Sequence, residues 1–184
     1  MSETAWVDDV LRFWFEELTY KDWFGGGAEL DEKIRSRFLA LYEKLASSVP
    51  AAVYESADAA LAAVIVFDQF PRNMFRGTAK AFATDPMALA IAGNALDKGF
   101  DAGMPNQRRS FLYMPLMHSE ALADQRHCVT LFATLDNDEG LKYAKEHRDI
   151  VARFGRFPHR NRALGRESTD DEIAFMGGHK GYGQ

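Results

Sequence analysis

Residues 4–18 read TAWVDDVLRFWFEEL, and Trp6, Val10, Phe13, Trp14 and Leu18 fall at i, i+4, i+7, i+8 and i+12. That spacing paints one face of a helix, not the alternating faces of a strand. It sets a first helix from about Thr4 to Leu18. The same period governs the rest of the chain. Past the turn at Gly25-Gly26-Gly27, Ile34, Phe38, Leu41 and Leu45 share a face of a second helix, capped by Asp31 and ending near Ser47 before Pro50. A third runs from about Ser56 to Phe70, where Pro71 stops it. Thr84 or Asp85, with Pro86 in the first turn, opens a fourth that ends at Gly99.

Asn106 to Leu135 reads either as one helix kinked at Pro115 or as two broken near His118 and Ser119; either way Pro115 removes the bond to the Phe111 carbonyl. Asn137 or Asp138 caps a helix to about Phe154, and Thr169 with Glu172 forms the capping box of a last one through Met176. No β-branched clusters bounded by hairpin turns interrupt this pattern. The expected class is all-α: seven to eight antiparallel helices on short loops, in a bundle or a stack. They form one domain over residues 1–176, with a flexible Gly-rich tail over 177–184.

At 184 residues and 47% hydrophobic content the chain can build a real core. A net charge of −5 argues against a nucleic-acid binder. The longest apolar run, Ala59 to Phe67, is about half of what crossing a bilayer takes, so no membrane role is expected. An acidic start, MSETAWVDD, and a lone Cys128 in an apolar helical context point to a cytoplasmic protein with no disulfide.

Charge is not spread evenly. His147 to Arg166, HRDIVARFGRFPHRNRALGR, holds six arginines, two histidines and one carboxylate, so it carries +5 and the remainder −10. Six choices of Arg over Lys indicate planar, bidentate bonding to an anion or a carbonyl. Within the window, Phe154-Gly-Arg-Phe157-Pro158-His159-Arg160-Asn161 echoes Phe67-Asp-Gln-Phe70-Pro71-Arg72-Asn73. Both stretches read as helix-ending corners with two aromatics anchored in the core, Asn73 and Asn161 bonding the freed backbone of the turn. The polar residues left on display are Asp68, Gln69 and Arg72 in one copy and Arg156, His159 and Arg160 in the other. The corners could also bond each other, Asp68 pairing with Arg156 or Arg160 and serving stability alone.

His118-Ser119-Glu120 allows three readings. Ser119 caps the next helix with Glu120 in its first turn. A Ser/His nucleophile pair is poor, because adjacent helical residues point about 100° apart and no strand-turn-helix elbow exists. Glu120, Asp124 and His127 share a face at i, i+4, i+7, but a carboxylate-bridged metal pair wants two E-x-x-H elements, and only Asp124-x-x-His127 approximates one. No metal and no cofactor is expected. The Gly25-Gly26-Gly27 loop has no Lys-Ser or Lys-Thr after it and reads as a turn.

DQFPRN (68–73), AFATD (81–85), FLYMPLMHSE (111–120) and RFGRFPHRNRALGRES (153–168) occur in order and together resemble an uncharacterised bacterial family, domain of unknown function 924, over nearly the whole chain. The resemblance implies an all-helical fold similar to tetratricopeptide repeats, although that repeat's own W-x2-L-G-x2-Y pattern is not evident. It brings no reaction with it. It implies a set of positions: Asp68, Gln69, Arg72, Asn73, His118, Ser119, Glu120, Gln125, His147, Arg156, His159, Arg160, Asn161 and Arg166.

Two functions are expected from these residues. In the first, Asp68, Arg72, Asn73, Arg153, Arg156, His159, Arg160 and Asn161 line a pocket for a small anionic metabolite, with His118, Glu120 and His147 as acid/base groups if the ligand is turned over. In the second, a concave helical surface grips an acidic peptide or protein.

Overall fold

The structure is a computed structural model and describes residues 5–179 and 181–182. The fold is all-α, and no strand occurs among the described residues. Helix α1 (Ala5–Arg12) continues as a π turn over Phe13–Glu17. Then come α2 (Tyr20–Gly25), α3 (Ala28–Ser47), α4 (Ala57–Val64), a second π turn (Ile65–Gln69) and α5 (Phe70–Met74). The second half holds α6 (Asp85–Asp97), α7 (Asn106–His118), α8 (Leu122–Phe132), α9 (Asp138–Phe154) and α10 (Asp170–Gly178). Short connections fold α7, α8 and α9 back on one another, while α4 packs on α6 and α5 on α3. No helix among the described residues is long and apolar enough to cross a membrane.

The stripe that opens the sequence faces inward as its spacing requires: Val10, Phe13 and Trp14 are buried, beside Ile34 and Phe38 of α3. Phe38 stacks on Phe70 at 4.7 Å and Trp14 meets Phe111 edge-on at 5.5 Å. Each such ring contributes roughly 1.5–3 kcal/mol by burial, with up to about 1.5 more for a good pair. A smaller apolar cluster, Ile150, Val151 and Phe157, stands apart from this core. On α9, Ala144 belongs to the large cluster and Ile150 to the small one. His147 lies between them, buried at the seam.

Several boundaries differ from expectation for identifiable reasons. Pro71 does not end the third helix. The π turn over Ile65–Gln69 widens the helix just ahead of it, and Pro71 then sits in the first turn of α5, which runs on to Met74. Proline has no N–H to give the carbonyl four residues back. That carbonyl, on Phe67, accepts instead from Thr84 Oγ1 at 2.7 Å. Only the second of the two echoing motifs leaves its helix: α9 stops at Phe154, Gly155 takes the left-handed conformation (φ 69°), and Phe157 is extended ahead of a 3-10 turn at Pro158–Arg160.

Helix α3 starts at Ala28, a turn before Asp31, and Asp31 accepts from Asn73 at 2.8 Å and from Arg76 rather than capping. Asn73 is therefore not the turn-backbone partner its position suggests. The short α2 has no counterpart among the expected helices; Asp22 accepts from the Thr19 backbone N–H at 2.7 Å and closes its first turn. The 106–135 region is two helices, with Pro115 inside the first. Ala121, not Ser119, precedes α8; Ser119 Oγ accepts from the Ala121 N–H and donates to Asp124. In the tail, Lys180, Gly183 and Gln184 lie outside the described residues, while Tyr182 stacks on His147 at 4.1 Å.

Candidate functional site

At the seam between the two apolar clusters lies a nest of buried charge, and Asp68 is its centre. The π turn points its carboxylate inward, where it is 0% exposed. Burial pushes that carboxyl upward, but Arg72, His118 and the Gln69 amide together outweigh this and hold it well below the usual carboxylate range. Arg72, one turn on, lies 3.4 Å from Asp68 and also donates to the Asp68 backbone carbonyl. Its fork grips Asp85 at the start of α6 with two bonds of 2.9 and 3.0 Å. Asp85, read from sequence only as a helix start, thus belongs to the site, delivered there by the AFATD segment.

His118 ends α7 with Nδ1 2.8 and 2.9 Å from the two Asp68 oxygens. An ionised carboxylate only accepts, so Nδ1 carries the proton and Nε2 the lone pair. Burial and the nearby Arg72 lower its basicity, and Asp68 opposes them without prevailing. His147 is likewise fixed: Nδ1 donates to the Tyr143 carbonyl at 2.8 Å, and burial beside His118 pushes its pKa down to about 3. The two imidazoles lie 6.3 Å apart. His159 packs on Phe157 and Tyr182, and burial next to Arg160 lowers it to about 3 as well.

Arg160 is the least satisfied member. It is 5% exposed and sandwiched between Phe82 and Phe157, with its guanidinium 4.7 Å from each ring. Its ion pair is a long one, 3.4 Å to the Asp85 oxygen that Arg72 already holds. Burial and the like charge of Arg72 bring its pKa down to about 10, against the pull of Asp85. Among the described residues, four buried polar atoms of this one nest lack a hydrogen-bond partner: Arg72 Nε, Arg160 Nε, His159 Nδ1 and Tyr182 Oη. Both arginine nitrogens are obligate donors, and the Tyr182 hydroxyl can donate too.

The remaining candidates are not in the nest. Arg156 clasps Glu172 at 2.7 and 2.8 Å and the Glu167 carbonyl, tying the corner to α10. Asn161 donates to the same Glu172 and to Ser168 and accepts from Arg166. Glu120, nominated as an acid/base group, is held by both arms of Arg166 at 2.7 and 2.9 Å and by the Phe157 N–H at 2.8 Å. Burial raises its pKa, but those bonds hold it below the ordinary value, so it stays an anion anchoring the corner. Gln125 bonds the carbonyls that end α7. Arg153 is exposed over Phe154 and Phe175. Asp68 pairs with neither Arg156 nor Arg160 directly; Asp85 links Arg72 to Arg160 instead. Of the nominated residues, then, Asp68, Gln69, Arg72, His118, His147, His159 and Arg160 come together. Asp85, Phe82 and Tyr182 join them unforeseen.

Among the described residues no group of three or more His, Cys, Asp or Glu is placed to hold a metal ion. Glu120 and Asp124 have the partners already named, and His127 is exposed.

The sequence model of a family described as "Bacterial protein of unknown function (DUF924)" matches residues 10–179. Among solved structures, the chain is similar to a protein of unknown function, ATU0120, from Agrobacterium tumefaciens. The identity is 38%, the TM-score 0.90, and the match covers 95% of this chain and 98% of that one. No curated protein matches.

Proposed function

The chain belongs to the bacterial family of unknown function DUF924, and for this member we propose that the Arg72–Arg160 nest binds a small oxyanion such as a phosphate or carboxylate group. One observation carries the reading: among the described residues, Arg160, a guanidinium 5% exposed, has a single long ion pair and an unpartnered Nε, and the Nε of Arg72 is buried and unpartnered as well. A buried donor left unmade costs about 1–3 kcal/mol, more when charged. Such a cost is tolerated where a ligand satisfies the group. The aromatic walls Phe82 and Phe157 exclude water and strengthen any ionic bond formed between them. His118 and His159 are only partly buried, and along them the nest reaches the surface. A grip on an acidic peptide needs arginines open on one concave face, whereas Arg72 and Arg160 lie inside and Arg156 and Arg166 are already clasped by carboxylates.

The test is a thermal-shift series with sulfate, phosphate, phosphate monoesters and dicarboxylates at constant ionic strength. A ligand at a hundred times its dissociation constant adds about 2.7 kcal/mol, a rise of roughly 5–10 °C for a chain of this size. The expected result is a selective rise that Arg160→Met abolishes. No rise with any of these anions, or an equal rise in the variant, would refute the site and return the protein to the peptide-binding reading.

A further inference from the structure

Resting on the oxyanion reading, we infer that the nest takes its ligand together with a proton, and that the proton lodges on His118. The charge count of the nest carries the argument. Arg72 and Arg160 are balanced by Asp68 and Asp85, so with neutral histidines the nest sums to zero. An added oxyanion leaves a net negative charge between aromatic walls, where solvation is poor. Three imidazoles stand within the same nest to offset it, and their surroundings differ. His118 faces Asp68 from the π turn, Arg72 from α5, Arg160 from the 3-10 turn and His147 from α9. His147 faces His118, His159 and Arg160, with the Tyr143 carbonyl, Phe157 and Tyr182 against its ring. His159 faces Arg160, His179 and His118, with Glu120 as the opposing carboxylate.

Of the three, and among the described residues, only His118 has a carboxylate bonded to its ring, at 2.8 Å. What keeps it neutral besides burial is the positive field of Arg72. An oxyanion on the two arginines cancels that field, while the Asp68 bond persists and stabilises the imidazolium. His147 bonds only a carbonyl and gains less. With a singly charged oxyanion the liganded nest becomes neutral again, with a charged N–H on His118 Nε2; with a doubly charged one the proton offsets half of the added charge. A ligand whose reaction needs a proton delivered would find the donor there.

Sulfate is the probe, because its own charge does not change between pH 6 and 8. Calorimetric titration at pH 7 in two buffers of different ionisation heat counts protons taken up per sulfate. The expected count is positive and approaches one, and sulfate binding weakens as pH rises from 6 to 8, at most about tenfold per unit. His118→Asn keeps an N–H for Asp68 but cannot be charged, and is expected to bind more weakly with no uptake. Equal heats in the two buffers would overturn the inference while leaving the anion site standing. No heat in either buffer would sink the site and the inference together. Uptake that persists in His118→Asn would remove the proton from His118. Should that variant not fold, the wild-type heats still decide whether a proton is taken up, and imidazole NMR shifts followed as sulfate is added decide where it lodges; a His118 ring that does not shift would remove the proton from it.

Discussion

Arg156 and Arg160 sit four residues apart in the same arginine-rich window, and the fold puts them to opposite uses. Arg156 gives three hydrogen bonds, two to Glu172 and one to a carbonyl. Arg160 has a single 3.4 Å contact and two aromatic faces. Nothing in the local sequence separates them. What does is Glu172, arriving from α10 on one side, and Asp85, arriving from α6 already engaged by Arg72, on the other. Arg156→Ala is therefore expected to melt lower, because Glu172 loses the partner that holds its pKa at about 2, and to keep its response to sulfate. Melting curves with and without sulfate check this. A variant that melts as the wild type but ignores sulfate would place Arg156 in the site and contradict its assignment to the corner.

At the scale of elements, the π turn over Ile65–Gln69 is what makes the site. It lets the helix absorb Pro71, and its extra backbone turns the Asp68 carboxylate into the core beneath His118. The arrangement leaves the Phe67 carbonyl dependent on Thr84, one residue before Asp85. A single hydroxyl thus ties the π turn to the segment that delivers the shared carboxylate. Thr84→Val keeps the shape and removes the donor; it is expected to cost about 1–3 kcal/mol, while Thr84→Ser stays close to wild type. Denaturant unfolding of the two variants reads the difference, and a Val variant as stable as the Ser one would show that another group satisfies Phe67. The motif DQFPRN announces a special place in the chain. That the proline is absorbed, not obeyed, is not legible there, because the group that compensates it is a threonine thirteen residues past Pro71.

For the molecule as a whole, burying histidines at the seam makes the fold sensitive to acid. His118, His147 and His159 all have folded-state pKa values below the ordinary 6.5, the latter two at about 3. Unfolded histidines bind protons from about pH 6.5 downward, whereas the folded ones take them up only at lower pH. The unfolded state therefore holds more protons, and stability falls as pH drops through that window, by up to about 1.4 kcal/mol per pH unit for each histidine. Above pH 7 these groups contribute no slope. Below about pH 4.5 the depressed carboxyls of Asp68, Glu120 and Glu172 add to the loss, since each is protonated more readily once unfolded. Melting temperature tracked from pH 8 to pH 4 is expected to be flat at first and to fall steeply below about 6.5. A flat profile down to pH 5 would mean that the histidines are not held neutral.

Helical class, most helix starts and stops and the aromatic core were legible along the chain. They rest on period, caps and prolines, which act over a few residues. Legible too was the arginines' need for partners, because six of them against one carboxylate cannot be satisfied within the window. Which partners they found was settled only by packing. Glu120 and Glu172 were drawn off to clasp Arg166 and Arg156, Asp85 was shared between Arg72 and Arg160, and Tyr182 was folded back onto His147. Charge pairing depends on distance through space and on burial, and both are set only once α5, α6, α7, α9 and the Pro158–Arg160 turn have come together.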